Sequence, residues 1–150
     1  AQQVGPENSK ISPPYENSGQ LLRSRGVELN VYITEDEVVH AYQIREDGFP
    51  QQEPEIIADQ FEEVYRLYSD SADGRHALLI YGRDLLGEGL FAITFDHLGQ
   101  NRSPLYRLSS VGATIKQQPR VKNIGPEWFV SWFEAERGLI TARGSLECAR

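Results

Sequence analysis

Between residues 27 and 34 apolar and polar side chains alternate without a break. Val27, Leu29, Val31 and Ile33 fall on one side, and Glu28, Asn30, Tyr32 and Thr34 on the other. A period of two is the mark of a strand with one face in a core, so whatever else the chain builds, it contains a sheet. Glu35-Asp36 then makes a short polar connection into residues 37–45, where Val39, Ala41 and Gln43 oppose Val38, His40, Tyr42 and Ile44. An antiparallel hairpin is expected. Two further runs, 76–81 and 90–95, are dense in apolar, aromatic and β-branched residues and flank the glycine-rich connection 82–89. The near-continuous apolarity of the first predicts a central strand covered on both faces. The second is separated from 105–108 by a hairpin loop at 96–100, and 111–116 extends or pairs with that set.

Helical patterns interrupt this reading twice. Pro54, followed by Ile57, Phe61, Val64 and Tyr68 at spacings of four, three and four, with acidic residues early in the segment, predicts an amphipathic helix over 54–62. Residues 63–68 fit either its continuation or a β-prone run leading to the turn at 69–74. The segment 125–138 carries proline in its first turn, Glu127 near one end, Arg137 near the other and Gly138 as a cap, with Trp128, Phe129, Trp132 and Phe133 aligned in one stripe. A second helix is expected there, its aromatics either packed on the sheet or presented to a partner. The fold class that follows is α+β: a mainly antiparallel sheet of roughly five to seven strands with one or two helices on one face.

A chain of 150 residues suits one domain. Residues 1–20, with glycines and prolines among polar side chains, predict a flexible N-terminal arm ahead of a single globular domain at 21–150. The chain opens Ala1-Gln2-Gln3 and has no methionine, as an exported protein does after signal cleavage, although trimming by design would leave the same start. A periplasmic or secreted location is therefore expected. No apolar run approaches the roughly 20 residues of a spanning helix, so no membrane span is expected.

The net charge of −7 repels phosphate backbones and anionic lipid, which disfavours nucleic acid as a partner and favours another protein, with a basic enzyme as the natural counterpart. The single cysteine, Cys148, rules out an intrachain disulfide and any zinc site built on several thiolates. It reads as an unpaired thiol under the last strand or a link between chains. His40, His76 and His97 are widely spaced, so neither a metal nor a cofactor is expected. Residues 69–74 resemble the opening of a calcium loop, but the twelfth position holds Ile80 where a bidentate carboxylate is required. Asp96-His97 could orient an imidazole toward Ser109 or Ser110, yet no nucleophile elbow accompanies the pair.

No catalytic constellation emerges, and a non-enzymatic binding module is the leading expectation. Its contact residues are sought in loops: Leu85, Leu86 and Glu88 in the glycine-rich connection; Asp96, His97 and Arg102 in the next; and the acidic turn Glu35, Asp36 and Glu37. An inhibitor or toxin-immunity role is its most concrete form. Small, acidic and opening as an exported protein does, the chain is similar in general profile to periplasmic immunity proteins. The alternatives are a ligand-binding or hydrolytic domain with a pocket between sheet and C-terminal helix, and a subunit of a cell-envelope assembly whose arm adds a strand to a neighbour. The sequence leaves the oligomeric state open.

Overall fold

The computed structural model describes residues 19–44 and 53–144, and these contain eleven strands and no helix. The chain lays down three antiparallel sheets in succession. The first is the meander β1 (Gln20–Ser24), β2 (Val27–Ile33), β3 (Val39–Gln43) and β4 (Glu55–Ala58). The second is β5 (Glu63–Ala72), β6 (Arg75–Asp84), β7 (Gly87–Asp96) and the short β8 (Tyr106–Arg107). β9 (Arg120–Ile124), β10 (Glu127–Glu134) and β11 (Gly138–Gly144) form the third.

The expected α+β class is therefore wrong, and both helices are replaced by strands. Within 54–62 the chain forms the four-residue β4 and then irregular backbone, and β4 pairs with β3 through Val39↔Ala58, His40↔Ile56 and Ala41↔Glu55. The outer edge of β3 gains a hydrogen-bonding partner there, a non-local gain that outweighs weak local helix preference. Residues 63–68, left between helix and strand, belong to β5. In 125–138 the aromatic stripe splits: Trp128, Val130, Trp132 and Glu134 are buried while Glu127, Phe129, Ser131 and Phe133 are half-buried, a strict period of two. Spacing of four between Trp128 and Trp132 satisfies a strand as well as a helix, and aromatic and β-branched residues favour the strand. Gly138, read as a helix cap, has φ of 77° and closes the β10–β11 hairpin instead. With eleven strands, the count also exceeds the five to seven expected.

The hairpin expected over 27–45 is present as β2–β3, its second strand ending at Gln43 and its last position lying outside the described residues, and the runs 76–81 and 90–95 lie in β6 and β7. Sheet two is the middle layer. One apolar core joins it to sheet one, with Leu22, Leu29, Val31, Ile33 and Val39 meeting Leu67, Leu78, Ile80, Phe91 and Ile93. A second joins it to sheet three, with Leu79, Leu90 and Ala92 meeting Val130, Trp132 and Ile115. This is why β6 and β7 read as continuous apolar runs: successive side chains point into different cores.

The first strands of the sheets touch in series, β1 on β5 and β5 on β9. Polar side chains tie these backbones together. Ser24 Oγ donates to the Ala72 carbonyl at 2.8 Å and accepts from Gly74 N at 2.7 Å. Gln20 Nε2 donates to the Leu67 carbonyl, and Asp70 Oδ2 accepts from Asn123 N at 2.7 Å. Because each sheet is a meander starting in the same direction, turns collect at two ends. The turns after β1, β5 and β9 and the 97–105 connection define a Gly74 end; the turns after β2, β6 and β10 and the 108–119 connection define a Leu85 end.

Candidate functional site

β6 and β7 pair without interruption from Arg75↔Asp96 to Asp84↔Gly87, which leaves Leu85 and Leu86 as a two-residue turn. Nothing folds them back on the body: Leu85 is 88% exposed and Leu86 63%. Isolated exposed leucines are ordinary, but two in succession at the tip of a braced hairpin form a presented apolar element. The bracing is specific. Asp84 Oδ1 accepts Leu86 N at 2.9 Å and Arg107 Nη2 at 2.5 Å. Arg107 also donates to the carbonyls of Gly87 and Glu88, both at 3.2 Å, and its guanidinium lies 4.7 Å from the centre of the Phe91 ring. The Arg107 and Asp84 side chains are each 15% exposed, so the pair is shielded from solvent and from salt. Gly89 makes room for it, since a Cβ there would collide with the Arg107 guanidinium.

Glu88, expected as a contact residue, faces inward. Its Oε2 accepts Tyr81 OH at 2.5 Å and Ile115 N at 3.2 Å, fastening the 108–119 connection to the hairpin stem. Burial, reinforced by this carboxylate, holds the Tyr81 phenol well above its ordinary pKa. The acidic turn sits at the same end. Glu35 and Asp36 are exposed, Asp36 accepts from Thr34 Oγ1, and Glu37 Oε1 accepts Val64 N at 2.7 Å. Glu62 and Glu63 lie there too, sharing Arg83 at 3.1 and 3.3 Å. The Leu85 end therefore joins a small apolar tip to a surface with an excess of carboxylates.

The remaining candidates are at the Gly74 end, separated by the ten residues of β6 and β7, roughly 30 Å of strand. Asp96 caps its own loop, accepting Leu98 N, Gln100 N and Asn101 Nδ2 at 2.8 to 2.9 Å. Burial alone would raise its pKa, but these bonds outweigh that and hold it low. His97 is half-buried, with its backbone N–H on the Gly74 carbonyl. Arg102 is tied to Glu55 Oε1 at 2.6 Å and to the Ile56 carbonyl at 2.7 Å. The nine sequence candidates thus form two groups that no single small ligand bridges.

Three chemistries considered from sequence have no geometry here. Ser109 Oγ bonds Leu90 N at 2.9 Å and Ser110 lies beside Arg137, both at the Leu85 end, so neither serine meets Asp96-His97. In the 69–74 segment Ser69 donates to Gln20, Ser71 meets His76, Asp70 holds Asn123 N and Asp73 holds Arg25, which divides the oxygens among separate protein partners. A pocket between the sheet and a C-terminal helix falls with the helix. Among the described residues no cluster of three or more His, Cys, Asp or Glu side chains is placed to hold a metal ion. The arm expected at 1–20 lies outside the described residues up to position 18, as does Cys148.

Sequence reasoning missed Arg107, which fixes the tip. Its partner Asp84 is 23 positions away, and only the β7–β8 pairing brings them together. Compared with known proteins, the chain matches no protein-family model, no curated protein and no solved structure.

Proposed function

We propose that this chain is a non-enzymatic protein-binding module that inserts the Leu85-Leu86 hairpin into an apolar cleft of a partner, as an inhibitor or toxin-immunity protein of the periplasm or extracellular space would. The observation that carries the reading is the exposure of two adjacent leucines, at 88% and 63%, on a turn whose stem is locked by a shielded ion pair. Transferring each leucine into a partner is worth about 1.5–3 kcal/mol, and a turn already rigid loses little conformational entropy on docking. Glu35, Asp36, Glu62 and Glu63 on the same end would speed encounter with a basic enzyme without adding much to the lifetime of the complex.

Capture from an extract of the source organism, followed by kinetics on the purified partner, separates these roles. Leu85→Asp with Leu86→Asp should raise koff and lower affinity by at least about 100-fold, the weight of a two-residue hot spot. Glu35→Lys with Asp36→Lys should chiefly lower kon and flatten its salt dependence. Unchanged binding by the leucine variant overturns the proposal.

A further inference from the structure

The three sheets end differently at their outer edges. Sheet one closes with β4, of four residues, and sheet two with β8, of two. Such short edges offer little to pair with. Sheet three has three strands where the others have four, and its outer strand β11 is seven residues long, paired with β10 from Trp128↔Gly144 to Glu134↔Gly138. Among the described residues β11 has no strand on its other side. It contains neither proline nor lysine and shows no register shift, three devices by which an open edge is usually blunted.

The sequence of β11, Gly138-Leu139-Ile140-Thr141-Ala142-Arg143-Gly144, is also its own antiparallel complement. A two-fold axis through Thr141 sets Thr141 opposite Thr141 of a second copy, Ile140 opposite Ala142, Leu139 opposite Arg143 and glycine opposite glycine. No like charges face each other. On the inner side Ile140 and Ala142 already pack against the Leu79, Leu90 and Trp132 core, so the pairing would make that core continuous across the axis. On the outer side Arg143 reaches back over Phe129, at 6.0 Å from the ring, and its aliphatic stem is left to meet the partner's Leu139, which is 59% exposed here.

We infer that β11 is a dimerisation edge, pairing antiparallel with β11 of a second copy to give a continuous six-stranded sheet. The partner is this chain itself because the register is self-matching, as an isologous contact requires. The inference does not depend on the Leu85-Leu86 proposal, which concerns a different surface.

The test needs no ligand: molar mass in solution by light scattering, over a range of protein concentrations. The wild-type chain is expected to be dimeric. Thr141→Lys, an exposed position that places two ammonium groups face to face on the axis, should shift it to monomer with unchanged tryptophan fluorescence, and Thr141→Glu should do the same. Mixing the two variants should restore the dimer. If either charged variant fails to fold, Thr141→Cys in a Cys148→Ser background should be joined into a covalent dimer by a short bis-maleimide crosslinker, because residues opposite on the axis bring their Cβ atoms to about 4.5–5.5 Å. A monomeric wild-type chain, a dimer that persists in both charged variants, or a Thr141→Cys variant that stays uncrosslinked overturns the inference.

Discussion

His76 sits fully buried on β6 beside Phe95, with Ser71 Oγ 2.7 Å from its Nδ1 and, among the described residues, no partner for Nε2. Burial, helped by the neighbouring His97, lowers its pKa from 6.5 to about 4, and Asp96 only partly opposes this. The folded-state value lies below the unfolded one, so the unfolded chain takes up the proton first as pH falls. The stabilising effect of a neutral His76 is complete above about pH 6.5 and is lost progressively down to about pH 4, a change of about 3 kcal/mol. Denaturant unfolding of the wild-type chain should therefore weaken over that window more steeply than unfolding of His76→Gln; parallel pH profiles would show that folding leaves the His76 pKa unshifted. Glu134, 3% exposed, is the other buried ionisable group of note. Burial works to raise its pKa, but bonds from Trp132 Nε1 at 2.9 Å and Ser110 N at 3.3 Å prevail and keep it ionised. Neither environment was legible in the sequence: His76 acquires its surroundings from Ser71 and Phe95 on the neighbouring strands, and Glu134 needs both Trp132, two residues back on the same strand, and Ser110 from a distant loop.

At the scale of elements, β10 shows how one pattern serves two structures. Trp128 and Trp132 are four residues apart, which is one helical turn and also two strand repeats. Phe129 and Phe133 decide the matter, since a helix would bury them beside the tryptophans and a strand turns them to the opposite face. Here Trp132 is 2% exposed while Phe133 is only half-buried. Trp132→Ala should cost about 3–5 kcal/mol and Phe133→Ala no more than about 1 kcal/mol, measured by urea unfolding. Equal costs would mean that both rings share one buried face. The β2–β3 hairpin and the strands β6 and β7 were legible because alternation or sustained apolarity has no helical counterpart there. β4 was not, because Pro54, Ile57 and Phe61 give a helical spacing that only the open edge of β3 overrides.

Over the whole molecule, sheet two is held on both faces, so the two outer sheets are coupled through it. Both tryptophans lie on the inner face of sheet three and report its docking, whereas far-ultraviolet circular dichroism reports all three sheets. Their unfolding midpoints should coincide; separated midpoints would mean that sheet three detaches on its own. The Leu85-Leu86 tip could be named from sequence as a loop of interest, since glycines bracket two leucines. Its exposure and its distance from Asp96, His97 and Arg102 could not. By itself the sequence determined the sheet content of its unambiguous runs, the acidic charge and the lack of a cysteine framework, because period, charge and composition are local properties that any fold must carry. The division into three sheets, the conversion of two helical patterns into strands, the lock of Arg107 on Asp84 and the open edge of β11 were decided only by tertiary structure, because each depends on which distant strand supplies the hydrogen bonds and the opposing face.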